Sequence, residues 1–398
     1  MSIPKGLATL ILCCTFLSAP ALSDCCGPVP MPSEQIKLGS GWSGSLFFEH
    51  MDMSSLRRGT KEVSPDQVLT ERLNAGAPAF SVPTRMYMDR ASAQLRYQFN
   101  PEHSLRLTIP WRFNQMDMRM ASRPGAGGGG HGHAHHRIAP QMDHHNTGAE
   151  HDHHQHDEMG HEAHAEHHHA EHGGHGGMNP AAPMFMNMTM DQTDGLGDIS
   201  LAYNYTFQLD DNTAWVGGGV SLPTGEWDER GGGGGLIHNM MQPGSGALGL
   251  SAEAGADLPL GDSKFSLHPR ASVQWNARNP LGYQRGSRLD YELGSRYQVH
   301  ERVGLSLDLV GFMAQKDTSN GTIDPVTGRV AFQSPQTSLV DDVINTGGQF
   351  LFIAPGLRAN PTEDIALGIQ YRLPIYQKVH GTQLGIDSWY RVFMSARF

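Results

Sequence analysis

The sequence lacks the long apolar run that a membrane-spanning helix requires. Beyond its amino terminus, no segment of the 398-residue chain offers ~20 consecutive apolar residues. Hydrophobic residues make up only 38% and charged residues only 17% of the chain, whereas glycine occupies 48 positions. This composition disfavours a soluble helical enzyme and favours a membrane β-barrel, which turns its polar side chains inward.

Positive charge is also scarce. The 29 Lys and Arg residues are outnumbered by 40 Asp and Glu residues, so the formal net charge is −11. A nucleic-acid-binding protein needs cations to neutralise phosphates, and this balance therefore excludes nucleic acid as a partner.

The first 23 residues predict an export signal. Lys5 precedes a short apolar run, and the small residues Ala21 and Ser23 fit cleavage before Asp24. We therefore expect residues 1–23 to be a signal peptide.

Residues 24–41 are then expected to form a periplasmic amino-terminal segment. This segment begins with the pair Cys25 and Cys26. Three roles stay open for the pair: acylation of Cys25, binding of a soft metal or an intermolecular disulfide, or no role in a flexible terminus.

From residue 42 to the last residue, apolar side chains recur with a period of two. In one predicted strand, the apolar face consists of Leu105, Leu107, Ile109, Trp111 and Phe113. The opposite face carries Arg106, Thr108, Arg112 and Asn114. One apolar and one charged face per strand is what a barrel in lipid with a wet lumen requires.

Twelve strands are predicted, near 42–53, 86–99, 104–120, 184–208, 213–222, 246–260, 263–276, 288–300, 302–315, 347–359, 364–376 and 386–398. Short turns alternate strictly with long connections between them, as in outer-membrane barrels with short periplasmic turns and long outer loops. The sequence therefore predicts an all-β, antiparallel, up-and-down transmembrane barrel over residues 42–398. We expect it to be a monomer in the lipid bilayer of the bacterial outer membrane.

Histidine is concentrated in the second outer loop, residues 121–183. Of the 23 histidines, 17 lie there: His131, His133, His135, His136, His144, His145, His151, His153, His154, His156, His161, His164, His167, His168, His169, His172 and His175. Imidazole is the commonest protein ligand for transition metals, so the tract predicts a metal-binding loop without one fixed ligand set. The alternative is a hydrophilic, low-complexity spacer.

Methionine forms four runs of period two at the outer ends of the first four strands. The runs are Met51 and Met53, Met86 and Met88, Met116, Met118 and Met120, and Met184, Met186, Met188 and Met190. Strand parity predicts that all four runs face the lumen beneath the histidine loop, and His238, Met240 and Met241 are candidates to join them. Thioether sulfur selects Cu(I), which predicts a copper-binding mouth. The alternative is that methionine serves as a flexible apolar filler.

The inward-facing charges of the strands are interpreted as the wall of a polar lumen. They are Arg90, Arg96, Arg106, Arg112, Glu253, Asp257, Arg270, Asp290, Glu292, Arg296, Asp308 and Arg372. The lone His268 on an inward face is expected to hydrogen-bond within this wall. No spacing specifies a catalytic set, so the protein is predicted not to be an enzyme and to require no cofactor.

Two stretches carry a family resemblance: GLGDISLAYNYTF at Gly195–Phe207 and GGGVSLPTGEWDER at Gly217–Arg230. They resemble the outer-membrane family named for the meta-pathway of phenol degradation. The resemblance implies a transporter-like barrel for small aromatic or apolar molecules, and its motifs imply turn glycines and strand ends rather than functional residues. The histidine tract is an insertion relative to this pattern.

The histidine tract and the methionine runs together favour uptake or scavenging of a transition metal. Copper is the first choice of bound ion, with zinc and nickel as alternatives. Two other functions stay open: a passive channel for small aromatic or apolar organic molecules, and a surface protein that only sequesters metal for resistance.

Overall fold

The alternating pattern builds strands that are close to those predicted. The computed structural model describes residues 41–124, 182–261 and 264–398. Its strands are β1 (Gly41–Met53), β2 (Leu56–Arg58), β3 (Lys61–Glu62), β4 (Ala79–Gln98), β5 (His103–Ser122), β6 (Met184–Thr189), β7 (Thr193–Leu196), β8 (Ser200–Leu209), β9 (Asn212–Ser221), β10 (Gly249–Pro259), β11 (Phe265–Asn276), β12 (Tyr283–Gln284), β13 (Arg288–His300), β14 (Val303–Ala314), β15 (Thr318–Ser319), β16 (Gly348–Ala359), β17 (Ile365–Val379), β18 (Thr382–Leu384) and β19 (Ser388–Arg397).

The long strands close into an antiparallel barrel of twelve. Around the barrel they run β1, β4, β5, β8, β9, β10, β11, β13, β14, β16, β17 and β19, and β19 pairs with β1 again. The fourth barrel strand is broken into β6, β7 and β8, which all pair with β5. The predicted fold is confirmed. A closed barrel leaves no unpaired edge in the hydrocarbon core of a membrane.

The two faces of the strands differ as expected for a barrel in the bacterial outer membrane. On β5, Ile109, Trp111 and Phe113 point outward and are exposed, whereas Arg112 and Asn114 point inward and are buried. Because lipid surrounds the outer face, the exposed apolar side chains are the favourable arrangement there.

The long connections all lie at one end, here called the outer end, and the first of them contains an unpredicted helix. Helix α1 (Pro65–Asn74) begins with the Ser64 hydroxyl accepting a hydrogen bond from the backbone N–H of Gln67, at 3.1 Å. The helix buries Val68, Leu69 and Leu73. Strand β4 begins at Ala79 instead of the predicted residue 86. Among the described residues, the structure contains no helix with the length and hydropathy to cross a membrane.

Several predicted segments fall outside the described residues. They are the signal peptide 1–23, nearly all of the segment 24–41, and the part of the outer loop 121–183 that holds all 17 histidines of the tract. Strand β5 continues through Ser122 and so extends two residues into the predicted loop.

Candidate functional site

The methionine runs lie at the centre of an apolar cluster that fills the outer end of the lumen. Met53, Met86 and Met116 occupy one row across β1, β4 and β5, because Met86 is the register partner of both others. All three side chains are at most 5% exposed. Parity therefore predicted the inward direction of the first three runs correctly.

Outer connections complete this cluster from above. Leu69 of α1, Met241 of the 223–245 connection and Leu339 of the 316–346 connection are buried in it. We call the apolar cluster formed by the buried methionines and these loop residues the outer cluster. It closes the lumen with aliphatic, aromatic and thioether groups from both the barrel wall and the loops above.

Only two residues of the fourth methionine run pack against the outer cluster. Met188 and Met190 pack against the outer cluster, whereas Met184 and Met186 are 65% and 55% exposed. The prediction that all four runs line the mouth was therefore wrong for two residues, because β6 extends beyond the outer cluster. Of the loop candidates, Met240 packs against the outer cluster and His238 pairs with the carboxylate of Asp341.

A row of aromatic side chains from β14, β16 and β19 belongs to the same buried apolar cluster. The Phe312 ring stacks on Phe350 with centroids 4.5 Å apart and lies 6.3 Å from Phe352. Phe352 in turn meets Trp389 edge to face at 5.7 Å. We call these four residues the aromatic row. It offers ring faces and edges that favour contact with another aromatic ring.

A guanidinium group lies over two of these rings. The Arg288 group is 3.8 Å from the Phe312 centroid, and the Arg372 group is 4.1 Å from the Trp389 centroid. Strand parity predicts the inward direction of Arg372. Arg288 is a lumen residue that was missed, although it shares the parity of the inward residues Asp290 and Glu292 on β13.

The next level of the lumen is charged. Glu49 is the register partner of both Arg391 and Arg90, and Arg90 is in turn the partner of Arg112. The Glu49 carboxylate accepts hydrogen bonds from Nε and Nη2 of Arg391, at 2.9 and 2.7 Å, and also from Arg90. We call these four residues the charged row. Its ion pairs agree with the predicted polar wall.

Below the charged row the lumen is polar and narrow. One cavity of about 60 Å³ borders Arg391, Glu292 and His268, and another of about 30 Å³ borders Arg90 and Arg285. Cavities of this size hold a few ordered waters at most. His268 forms a hydrogen bond within the lumen wall, as expected, because its Nδ1 lies 2.5 Å from Oδ1 of Asp257.

The two family motifs meet where the fourth barrel strand is broken between β7 and β8. The Asp198 carboxylate accepts hydrogen bonds from the backbone N–H groups of Gly225 and Ser245, at 3.1 and 2.8 Å. The Thr224 hydroxyl accepts another from the N–H of Ile199, at 2.8 Å. We call these contacts the motif clamp. They fasten the 223–245 connection to the barrel wall, so the motifs have the structural role that their residues implied.

The clamped connection reaches the outer cluster and a neighbouring loop. Arg285 donates to the carbonyl oxygens of Gln242 and Gly244, at 3.2 and 2.7 Å. Further out, Arg230 makes a two-point contact with Asp324, at 2.8 and 2.9 Å. The Arg230 guanidinium holds the pKa of the Asp324 carboxyl well below its usual range. The Arg230–Asp324 ion pair therefore joins the 223–245 and 316–346 connections.

One carboxyl group in the clamped connection has a raised pKa. Burial, followed by a hydrogen bond with Glu226 and the negative charges of Glu226, Asp194 and Asp228, raises the pKa of Glu229 from 4.5 to about 7. Glu229 is therefore protonated in the docked connection at mildly acidic pH.

This pKa predicts that the 223–245 connection docks more firmly as pH falls. Between pH 4.5 and about 7 the docked form holds a proton that the undocked form releases, so docking loses stability as pH rises through about 7. Amide hydrogen exchange, corrected for its intrinsic pH dependence, should show less protection of this connection at about pH 8 than at about pH 6. Glu229→Gln should remove the difference, and Glu363→Gln on an exposed turn should keep it. Equal protection at both pH values in the unmodified protein would contradict this expectation.

Comparisons with known proteins found one family model and solved structures with a similar fold. The model of the family described as "Putative MetA-pathway of phenol degradation" matches residues 170–340. The crystal structure of an outer membrane channel from Pseudomonas putida F1 is similar to this structure, with a TM-score of 0.51 and 12% identity, over 92% of this chain and 99% of that one. No curated protein sequence matches the chain.

Two further solved structures are more distant. The monoaromatic hydrocarbon channel CymD has a TM-score of 0.38 and 9% identity, over 91% of this chain and 90% of that one. The toluene transporter TbuX from Ralstonia pickettii has a TM-score of 0.39 and 7% identity, over 91% of each chain.

These findings correct the main functional prediction. Uptake or scavenging of copper or another metal is wrong as the function, because the family match and the similar fold point to an outer-membrane channel. Within the described residues, no three His, Cys, Asp or Glu side chains are placed to hold a metal ion. The buried methionines are instead packed as apolar filler, the alternative that the sequence left open. The metal-ligand assignments of individual residues stay predictions. The resemblance to the phenol-degradation family of outer-membrane proteins, first carried by two short motifs, is confirmed.

Proposed function

We propose that the protein is a passive channel for small aromatic or apolar organic molecules. The observation that carries this proposal is the outer cluster, which fills the outer end of the lumen with apolar side chains from the barrel wall and the outer connections. A solute that passes must replace methionine, leucine and phenylalanine contacts, and an apolar solute does so at the smallest cost in free energy.

The methionines suit this role. A thioether side chain is unbranched and flexible, so it re-packs around guests of different shape more readily than leucine or isoleucine. Met86 and Met116 lie at the middle of the outer cluster and are fully buried. We infer that these side chains swing aside as a ring enters and then close behind it.

The aromatic row supports the same proposal from below. A ring that leaves the outer cluster meets the faces and edges of Phe312, Phe350 and Phe352. Contact between two aromatic rings contributes about 0.5–1.5 kcal/mol of free energy in addition to the contribution of the buried apolar area. The description of the matched family, which names phenol degradation, points to the same class of solute. No cofactor and no catalytic step are part of this proposal, and the monomeric state stays a prediction.

Toluene uptake tests the proposal. Cells with an intact outer membrane that lack other hydrocarbon channels should take up dilute labelled toluene several-fold faster when they produce this protein. Met86→Gln places an amide in the outer cluster, at a cost of roughly 1–3 kcal/mol for the unpaired polar group, and should lower toluene uptake about fivefold or more.

Met184→Gln is the matched control, because Met184 is exposed and contacts no apolar cluster that a solute crosses. Its uptake should equal that of the unmodified protein. Toluene uptake no faster than in cells without the protein would overturn the proposal, as would equal uptake by the Met86 and Met184 variants.

A further inference from the structure

A closed loop within the 316–346 connection reaches across the barrel mouth. Residues 334–341 fold back on themselves, because the Ser334 N–H donates to Asp341 O at 3.2 Å and the Ser338 N–H donates to Ser334 O at 3.0 Å. We call these residues the flap. Its two ends lie side by side, so the flap can move as one unit about its base.

The base of the flap is anchored on the side of the barrel from which it comes. Phe332, two residues before the flap, is buried and meets the Tyr283 ring edge to face at 5.5 Å. Its φ of 53° lies in the left-handed region, which a bulky residue adopts only where surrounding contacts impose it. At the other end of the flap, His238 pairs with Asp341. The base is therefore fixed, and a strained turn lies beside it, as expected of a hinge.

The tip of the flap pairs with the edge of β4. Strand β1 leaves β4 after the pair Met53 and Met86, so β1 does not cover the outer part of β4. There the Ser81 N–H donates to Thr337 O at 2.9 Å, and the Leu339 N–H donates to Ser81 O at 3.0 Å. Three barrel strands, β17, β19 and β1, separate this edge from β16. The flap therefore extends across the mouth and is fastened to a distant part of the wall.

Leu339 connects the flap to the outer cluster. Its side chain is 1% exposed and is buried in the outer cluster, and Val340 packs against the same cluster. The Asn345 side-chain amide donates to Leu339 O at 2.9 Å. An apolar solute that takes the place of the Leu339 side chain buries apolar surface in its stead, so it stabilises an open flap, whereas a polar solute does not.

One group of the flap is poorly placed in the closed position. Ser338 is 6% exposed, and its hydroxyl has no hydrogen-bond partner among the residues that the structure describes. A buried hydroxyl without a partner costs free energy, and exposure to water recovers this cost. The contacts of Leu339 and Ser81 therefore hold the flap closed against an opposing cost, which suits a segment that opens.

We propose that the flap is the gate of the channel. Opening breaks the backbone contacts with Ser81 and withdraws Leu339 from the outer cluster, and an apolar solute enters at the place that Leu339 leaves. This inference rests on the proposed function and adds the moving part that admits the solute.

A disulfide between the flap and β4 tests the gate. Ser81 and Ser338 are partners in a parallel β-bridge. Adjacent strands lie about 4.8 Å apart, within the range of Cα distances that a disulfide spans. Ser81→Cys and Ser338→Cys are combined in a chain that carries Cys25→Ser and Cys26→Ser, so that the introduced thiols pair only with each other. Toluene uptake by oxidised cells should fall in proportion to the cross-linked fraction, about tenfold when about nine-tenths of the protein is cross-linked, and a reductant should restore it.

The matched control combines Ser122→Cys with Met184→Cys in the same chain. These two residues are also register partners at the outer end, and their disulfide joins β5 to β6 without touching the flap. Toluene uptake by this control should be the same in oxidised and reduced cells. Mass spectrometry of the digested protein measures the cross-linked fraction of both variants.

Ser81→Pro tests the gate in the opposite direction and decides the question if the disulfide does not form. Proline removes both the N–H and the hydroxyl that donate to Thr337 O. The flap should open more often, so the Leu339 amide should exchange faster and toluene uptake should rise about twofold or more. Unchanged uptake in a variant whose Leu339 amide exchanges faster would overturn the gate.

The outcomes separate this inference from the channel proposal. Equal toluene uptake by the oxidised and reduced forms of the cross-linked flap variant would overturn the gate and leave the channel proposal standing. Absence of protein-dependent toluene uptake in every variant, including the reduced chain with both native cysteines replaced, would overturn the gate and the channel together.

Discussion

Glu49→Gln is expected to lower the free energy of unfolding by about 3–5 kcal/mol, because it removes one partner of a buried ion-pair network. The Glu49 carboxylate is 5% exposed and accepts hydrogen bonds from both Arg391 and Arg90. A glutamine amide keeps the shape and one acceptor but removes the negative charge that both guanidinium groups share. Denaturant unfolding from detergent, followed by tryptophan fluorescence, measures the change.

Glu363→Gln is the control for this variant, since Glu363 is exposed on the turn before β17. Its unfolding midpoint should match that of the unmodified protein. If Glu49→Gln is as stable as Glu363→Gln, solvent in the lumen screens the charged row, and the row does not hold β19, β1 and β4 together.

Gly225→Ala is expected to destabilise docking of the 223–245 connection by about 1–3 kcal/mol. A Cβ atom at Gly225 would lie 2.7 Å from both Gly197 C and Leu196 O, and 2.8 Å from Gly244 Cα. All three are backbone atoms, which cannot rotate away, so the motif clamp must open. Hydrogen exchange of the Gly244 amide, which donates to Glu226 O, should increase in proportion.

Gly232→Ala is the matched control in the same connection, because a Cβ atom there meets nothing within 4 Å. Its exchange rates should equal those of the unmodified protein. Unchanged protection in Gly225→Ala would show that the motif clamp does not fasten this connection. Loss of the clamp should also loosen the outer cluster, since Met241 of the clamped connection is buried in that cluster.

The barrel could be predicted because the sequence pattern of each strand and each short turn identifies that element without reference to distant residues. Each strand carries the period of two that lipid on one side and water on the other impose, and each short turn is marked by polar residues. The fourth barrel strand shows where this reasoning reached its limit. A continuous strand was predicted over 184–208, but the chain breaks before Thr193 and again after Leu196. The second break exists because Asp198 turns to the motif clamp, a contact with residues some 27 positions later.

The candidate site was predicted in part for the same reason. Parity placed Met86, Met116 and Arg372 in the lumen, but it could not tell packing from metal binding. That distinction depends on Leu69, Met241 and Leu339, which come from three separate connections. Helix α1 was missed because its buried face fits the barrel mouth, a surface that only the folded barrel creates. The charged row could not be predicted from local sequence, because Glu49 and its partner Arg391 lie 342 positions apart.

The pairing of β5 with β6 has a consequence for protein engineering. Ser122 and Met184 are register partners, so the segment between them leaves the barrel and returns at adjacent positions of one sheet. The sheet itself holds the two ends together, and the entropy of closing a longer loop rises only slowly with length. Foreign peptides or small folded domains should therefore be graftable between these two residues for display on the cell surface. The same tolerance lets the composition of this segment drift without an effect on the strand pairing of the barrel.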